Sequence, residues 1–188
     1  MKQTVGFALC GSFCTYRKTI DALRVLAEEY TVVPIFSEAG YSIDSRFGTA
    51  EDFRSEVEAI CGAKALHSIA EVEPFGPKKL LDLLIVAPCT GNTLGKLANG
   101  IADSPVTFAC KAHLRNARPI VLAISTNDGL SASAENIGKL LNRRHYFFVP
   151  FGQDSPIGKP YSLVADMTLL SQTAAAALRG EQIQPLLK

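Results

Sequence analysis

Small hydroxyl, amide and glycine residues gather in one stretch of the chain, between an apolar run and a helical pattern. The apolar run 83–87 stops at Pro88 and is followed by Cys89, Thr90, Gly91, Asn92 and Thr93. Backbone amides at a helix start form an anion site, and small side chains leave room for a flat ring. Convergent His, Cys or carboxylate ligands for a metal are lacking. The stretch therefore predicts a site for a phosphate-bearing ring ligand, without metal.

Three further apolar runs end in small polar residues with few charges, at 10–15, 37–38 and 125–129. In a parallel sheet the carboxyl ends of the strands lie at one edge, where ligands bind. We therefore expect all four polar strand exits to meet. A simpler use exists for each hydroxyl, since Ser and Thr are also common helix N-caps. Neither the dinucleotide fingerprint G-x-G-x-x-G nor a P-loop is present, which disfavours a nicotinamide-binding Rossmann domain.

The elements that must position these exits alternate between solid apolar runs and helical patterns. Apolar runs without alternation are typical of parallel strands covered on both faces. We predict one domain over 1–188, an α/β doubly wound three-layer sandwich with a mostly parallel sheet, Rossmann-like and flavodoxin-like. A loop is predicted at 150–160 and a frayed tail after 178. The predicted strands are 4–9, 31–36, 80–87, 119–124 and 146–149, and the predicted helices are 16–29, 49–60, 93–101, 104–115, 133–142 and 162–178.

Composition narrows the possible partners. The 188 residues carry 19 basic and 18 acidic side chains, a net charge of +1, without a basic stripe for nucleic acid or anionic lipid. We find no apolar run of bilayer length and no signal peptide, and therefore expect a cytoplasmic protein. Five cysteines without a C-x-x-C pair predict neither a disulfide framework nor a zinc site. The three histidines share no pattern and are interpreted as structural or solvated.

The opening stretch, followed to Asp103, resembles a known family signature. That signature is the "Pro-Ala-Ser-Ala-Asn-Thr … Lys … Ala … Gly … Ala-Asp" motif of the flavoprotein family, the homo-oligomeric flavin-containing cysteine decarboxylases. The family also includes flavin prenyltransferases. Further matches at Gly11, Ser12, Ser37 and Asn127 extend the resemblance over essentially the whole chain. The motif positions in register are Pro88, Asn92, Thr93, Lys96, Gly100, Ala102 and Asp103.

What the resemblance implies is an FMN site. The backbone amides of Gly11, Ser12 and Phe13 are expected at the phosphate, with the Ser37 hydroxyl beside them. The other implied cofactor-binding positions are Pro88, Cys89 and Thr90 along the ribityl chain and ring, Asn92 and Thr93 at loop and subunit contacts, Asp103 and Ser104 near the ring edge, and Asn127. A homo-oligomer, trimer or dodecamer, is also implied.

Two departures from the family pattern limit the chemistry that we expect. The decarboxylases carry an active-site His about fourteen residues before the motif's Pro, where this chain has Glu73, Pro74 and Phe75. His67 is near but out of register, and the loop at 150–160 lacks the Cys of the family's substrate clamp. Cysteine decarboxylation is therefore disfavoured while flavin binding is kept, and no catalytic residue is identified.

Within the family the chain is similar to the B-type subunits of a spore-pathway synthase that aromatises a dihydro- or tetrahydropyridine dicarboxylate. The resemblance implies an A-type partner that supplies NADP or NAD. Lysine and arginine bind carboxylates well, so Lys159, Arg46 and Lys111 are candidates for the small dicarboxylate substrate, although each has a simpler use as a solvated surface charge. Three alternatives stay open: a cysteine-type decarboxylase, a flavin prenyltransferase, and a non-catalytic flavin-holding subunit.

Overall fold

A central sheet lies between layers of helices in the computed structural model, which describes residues 2–188. The strands are Thr4–Leu9 (β1), Thr31–Phe36 (β2), Leu83–Cys89 (β3), Ile120–Thr126 (β4), Tyr146–Phe148 (β5), Phe151–Ser155 (β6) and Lys159–Ala165 (β7). The helices are Tyr16–Glu29 (α1), Glu38–Ser42 (α2), Ala50–Cys61 (α3), Ile69–Val72 (α4), Phe75–Lys78 (α5), Gly91–Ala98 (α6), Pro105–Leu114 (α7), Ala134–Leu141 (α8) and Leu170–Leu178 (α9). Short 3-10 turns, Phe13–Thr15 and Met167–Leu169, precede α1 and α9.

The first five strands are parallel, in the order β2-β1-β3-β4-β5. Helices connect them as predicted, because parallel neighbours need a crossover connection. The solid apolar runs are the reason for this arrangement: every residue of β3 is buried, and so is every residue of β4 except Thr126. The α/β doubly wound, mostly parallel fold class is confirmed.

The segment 150–178 differs from the prediction. The predicted loop at 150–160 is an antiparallel hairpin of β6 and β7, and β7 also pairs antiparallel with β4. The predicted helix at 162–178 begins at Leu170. Residues 162–165 look like a first helical turn in sequence, yet Leu163 and Ala165 are buried on the sheet. Tertiary pairing therefore overrides the local pattern, and the Gly and Pro residues lie at or near the turn of the hairpin.

Smaller differences concern short elements and the tail. Strand β3 begins at Leu83 instead of residue 80, and the short helices α2, α4 and α5 were not predicted. The tail is paired, not frayed: the Phe151 amide donates to the Leu186 carbonyl, and the Lys188 amide donates to the Phe151 carbonyl. Within the described part of the chain, no helix combines the length and apolarity needed to cross a membrane.

Buried cysteines belong to the core that supports the strand exits. Cys10, Cys89 and Cys110 are buried, whereas Cys14 is exposed. Burial raises the pKa of Cys10 to about 11, although hydrogen bonds from Thr93 and Thr90 act in the opposite direction. A thiol with such a pKa is protonated at neutral pH and is a poor nucleophile. The sequence predicts that the strand-exit cysteines Cys10, Cys14 and Cys89 are small buried residues; this is confirmed for Cys10 and Cys89 and wrong for Cys14, which is exposed.

Acid is expected to destabilise the fold through His113. This side chain is buried in α7, with Nε2 3.0 Å from the Pro119 carbonyl oxygen. Burial lowers its pKa from 6.5 to about 4. Between these values the unfolded chain binds a proton that the folded chain does not. The free energy of unfolding should therefore fall by about 3 kcal/mol from pH 6.5 to pH 4. Urea unfolding of wild type and His113→Gln from pH 6.5 to pH 4 checks this prediction. The variant should lose this part of the pH dependence of the free energy of unfolding.

Candidate functional site

The exits of β1 and β4 are joined by hydroxyl groups. Ser12 Oγ lies 2.8 Å from Ser125 Oγ, and Thr15 Oγ1 lies 3.2 Å from the same Ser125 oxygen. Strand β3 lies between β1 and β4 in the sheet. These bonds therefore bridge the carboxyl end of β3, and the predicted meeting of strand exits is confirmed for this pair.

The exits of β1 and β3 are also joined. Thr90 is the N-cap of α6, since its side chain accepts from the Thr93 amide at 3.3 Å. The Thr93 hydroxyl in turn donates to Cys10 Sγ at 3.3 Å. The motif residue Thr93 thus fixes the first turn of α6 to the end of β1. This contact explains why a small hydroxyl residue suits that position.

A narrow cradle separates the exits of β1 and β2. The Ser37 amide donates to the Leu9 carbonyl, and Ser37 Oγ accepts from the Gly40 amide to cap α2. A Cβ atom at Gly11 would lie 3.2 Å from Cβ of Ala39. Only a residue without a side chain keeps this space open. The first amides of a helix have no intrahelical acceptor, so the Phe13 turn leading into α1 offers donors that suit a phosphate, while the Ser12 amide already donates to the Cys10 carbonyl at 2.9 Å.

The motif residues at and after the end of β3 differ in access. Pro88 and Cys89 are buried, so their side chains belong to the core and a ligand can reach them only through the backbone. Thr90 is half-buried and Asn92 is exposed on the first turn of α6. Asn127 is exposed just after β4. These positions therefore line the same edge of the sheet as Gly11 and the other strand exits.

Asp103 and Ser104 do not join this group within one chain. They follow α6, whose eight residues span about 12 Å from the exit of β3. Asp103 pairs with Lys96 at 2.8 Å, and this contact lowers the pKa of Asp103. Ser104 caps α7 in a capping box with Thr107. Both side chains thus have structural partners, and their contact with a cofactor stays a prediction.

Two of the predicted cations, Arg46 and Lys159, are within electrostatic range of each other. Lys159 pairs with Asp154 at 2.5 Å, a contact that raises the pKa of Lys159, while the nearby charge of Arg46 opposes the rise. The exposed Cys14 thiol, in the turn after β1, acts on Lys159 as well. Lys111 is exposed on α7, which leads toward the opposite edge where β4 begins. The structure therefore does not bring Lys111 to this group.

His67 lies away from the β3 exit. It follows Leu66, which bridges to Ile35 on the outer edge of β2, and its ring stacks on Tyr41 at 3.9 Å. The chain therefore has no histidine beside the β3 exit among its described residues: His113 is buried in α7 and His145 precedes β5. Likewise, no cluster of three potential metal ligands is found in residues 2–188.

Ser125 and Thr15 lie within the predicted polar exits at 125–129 and 10–15, but neither was among the predicted cofactor-binding residues. Ser125 ends the solid apolar run of β4, and Thr15 is buried within the turn before α1. In sequence, a polar residue that completes an apolar strand indicates only a polar exit. The signal that could have identified it is pairwise: two hydroxyls, Ser12 and Ser125, at the ends of strands that are neighbours of β3.

The hydroxyl bridge should be measurable as a coupling energy. Ser12→Ala and Ser125→Ala each remove one partner of the same bond, so their effects on unfolding should be non-additive by about 1 kcal/mol. Urea unfolding of both single variants and the double variant gives this value. Ser12→Ala combined with Ser42→Ala, whose exposed hydroxyl bonds within α2, is the matched control and should be additive. Additivity of the first pair would contradict the bridge.

Comparisons with known proteins agree with this geometry. The profile of the flavoprotein family matches residues 1–178. The chain is 45% identical over 186 residues to the B subunit of dipicolinate synthase of Bacillus subtilis (strain 168), covering 98% of this chain and 93% of the relative. The crystal structure of the corresponding B subunit from Bacillus halodurans superposes with a TM-score of 0.90 at 42% identity, covering 99% of this chain and 96% of that one.

A more distant structure shares the fold alone. An FMN-dependent cysteine decarboxylase superposes with a TM-score of 0.67 at 19% identity, covering 93% of this chain and 97% of the other. The family profile spans all the strand exits that form the candidate site. The resemblance carried by the stretch from Pro88 to Asp103 is therefore confirmed, and the chain belongs to the flavoprotein family.

Proposed function

We propose that this chain is an FMN-binding subunit of a dipicolinate synthase, which helps convert dihydro- or tetrahydrodipicolinate into dipicolinate. The observation that carries the proposal is the 45% identity to the B subunit of a dipicolinate synthase over nearly the full length of both chains. Such similarity includes the strand exits as well as the core. The cytoplasm is proposed as the compartment.

The cradle between Gly11 and Ala39 supports FMN as the cofactor, because a glycine lets a ligand approach the backbone closely and the helix-start amides beside it favour a phosphate. In this proposal Gly11, Ser12 and Phe13 hold the phosphate with Ser37. The ribityl chain and ring lie along Pro88, Cys89, Thr90 and Asn127. Bound FMN would supply a two-electron acceptor for a reaction that aromatises a ring. In this proposal the paired hydroxyls of Ser12, Thr15 and Ser125 hold the ends of β1 and β4 in place beside the cofactor.

The proximity of Arg46 and Lys159 supports a dicarboxylate substrate. Carboxylates gain charge-assisted hydrogen bonds from both cation types, and two cations match two carboxylates. Arg46 also lies over the Phe47 ring, with 4.9 Å from guanidinium carbon to ring centroid. Asp154 balances Lys159 in the free protein and would be displaced by a substrate carboxylate. We assign Arg46 and Lys159 to substrate binding, and Lys111 is given no part in it.

A partner chain is part of the proposal, because the relative is itself named as one subunit of the synthase. We infer that this A-type partner carries the nicotinamide cofactor, NADP or NAD. The chain is further proposed to form a homo-oligomer, a trimer or dodecamer. Asp103 and Ser104 could then reach the cofactor of a neighbouring copy, which would reconcile their place in the motif with their distance from the strand exits.

The reaction can be tested by reconstitution. The FMN-loaded chain is mixed with dihydrodipicolinate, with and without the A-type partner and NADP, and dipicolinate is followed by its ultraviolet absorbance. We expect product formation to require the FMN-loaded chain. Dipicolinate formation by the partner alone at the same rate would contradict a catalytic role and favour a flavin-holding subunit. Release of carbon dioxide from a peptidyl cysteine, or formation of a prenylated flavin, would favour the other activities of the family.

A further inference from the structure

The carboxylate of Asp128 is the centre of a hydrogen-bonded cluster just after β4. Its Oδ1 accepts the Thr126 hydroxyl at 2.5 Å and the Ser133 hydroxyl at 2.8 Å. The Asp128 carbonyl also accepts the amides of Ser131 and Ser133. The loop from β4 to α8 therefore folds back on Asp128, whose side chain and backbone carbonyl both accept hydrogen bonds from it.

This cluster packs directly against the start of α6. A Cβ atom at Gly91 would lie 2.7 Å from Asp128 Oδ1, and the same distance from the hydroxyl oxygens of Ser133 and Thr126. No side chain fits in that space without displacing the cluster. Glycine at position 91 thus permits a close contact between the exits of β3 and β4. The amino-terminal end of α6 also favours a nearby negative charge.

The two residues that flank this contact are candidate flavin contacts. Thr90 precedes Gly91, and Asn127 precedes Asp128. Because Gly91 is in close contact with the Asp128 carboxylate, the two chain segments are held together one residue away from each candidate. The spacing between Thr90 and Asn127 therefore depends on the Asp128 cluster, although the family motif described above does not include Asp128.

Building on the FMN-binding function proposed above, we propose that Asp128 is a positioning residue that sets the distance between Thr90 and Asn127 and so determines the width of the flavin site. It acts through Asn127 and contacts no cofactor itself. Removing its side chain should free the loop and weaken FMN binding. An asparagine should substitute well, because its amide oxygen can accept the same two hydroxyl hydrogen bonds.

The test is titration of the full chain with FMN, followed by quenching of flavin fluorescence. We expect Asp128→Ala to raise the Kd about tenfold, comparable to the loss of a hydrogen-bonded contact. Asp128→Asn should stay within about threefold of wild type. Adding Asp128→Ala to Asn127→Ala should weaken binding no further, because Asp128 acts through Asn127. Glu135→Gln, an exposed change on α8, is the control and should leave the Kd unchanged.

Circular dichroism verifies that each variant is folded. Ser133→Ala, which removes one of the two donors to Asp128, gives a milder variant if Asp128→Ala does not fold. It should weaken FMN binding in the same direction. Wild-type affinity in Asp128→Ala, additivity with Asn127→Ala, or equal losses in Asp128→Ala and Asp128→Asn would each overturn the positioning role while FMN binding stands. A wild-type chain that binds no FMN would overturn the proposed function itself, and the role of Asp128 with it.

Discussion

Gly11→Val is expected to reduce FMN affinity by at least about a hundredfold while the protein stays folded. A Cβ at this position already approaches the Ala39 Cβ to 3.2 Å, and the two further methyl groups of valine would enter the cradle. The φ angle of Gly11 lies outside the left-handed region. The variant therefore suffers little backbone strain, and the lost space is the main effect.

Fluorescence titration with FMN measures the affinity, and circular dichroism with thermal unfolding verifies the fold. Gly11→Ala should show an intermediate loss, since its single methyl needs only a small shift of Ala39. Gly138→Val is the matched control, because nothing lies within 4 Å of a Cβ on this exposed helical glycine. Normal FMN affinity in Gly11→Val would contradict the placement of the phosphate in the cradle between β1 and β2.

Replacing Arg46 and Lys159 together by glutamine is expected to weaken dicarboxylate binding about a hundredfold, with about tenfold from each. The charges of Arg46 and Lys159 act on each other, so each should contribute to the attraction of a dianion that binds between them. The loss should shrink as salt concentration rises, because exposed charges are screened. Dipicolinate is the probe, and its binding to the FMN-loaded chain is followed by the change in flavin absorbance.

Control variants separate site cations from general surface charge. Arg144→Gln removes an exposed arginine that precedes β5, at the opposite edge of the sheet, and should leave the affinity unchanged. Lys111→Gln tests the remaining sequence-based candidate and is expected to behave like Arg144→Gln. If Lys111→Gln weakened binding and the Arg46 and Lys159 variants did not, the substrate site would have to be sought near α7.

The parallel part of the sheet was predictable because burial on both faces leaves a strong signal. The strands β1 to β4 are solid apolar runs, and α1 shows Ile20, Leu23 and Leu26 at helical spacing, all of them buried. The hairpin of β6 and β7 was not predictable in this way. β6 and β7 are stabilised by pairing with each other, and β7 also pairs with β4. The local pattern of Gly, Pro and polar residues does not indicate this pairing.

The site was predictable to the level of strand exits, and the reason is topological. Parallel strands bring their carboxyl ends together, so Gly11, Ser37, Thr90 and Asn127 could be placed at one edge without coordinates. The specific contacts could not be predicted from topology alone. The Ser12–Ser125 bond joins residues 113 positions apart.

Distance along a helix limited the rest of the site prediction. Asp103 ends the sequence motif that begins at Pro88, and Ser104 follows it directly, yet α6 carries both away from the exit of β3. Lys111 was a candidate because of its charge, and its helix leads to the opposite edge of the sheet. A motif fixes the order of residues, whereas their distances depend on the element that separates them.

Stoichiometric FMN binding by the purified chain tests the central claim most directly. The protein is freed of cofactor, titrated with FMN, and passed over a desalting column, and the retained flavin is measured by its absorbance. We predict one FMN per chain for wild type and none retained by Gly11→Val. Wild-type protein that retains no flavin, or a Gly11→Val variant that retains as much as wild type, would contradict an FMN site at the exits of β1, β2 and β3.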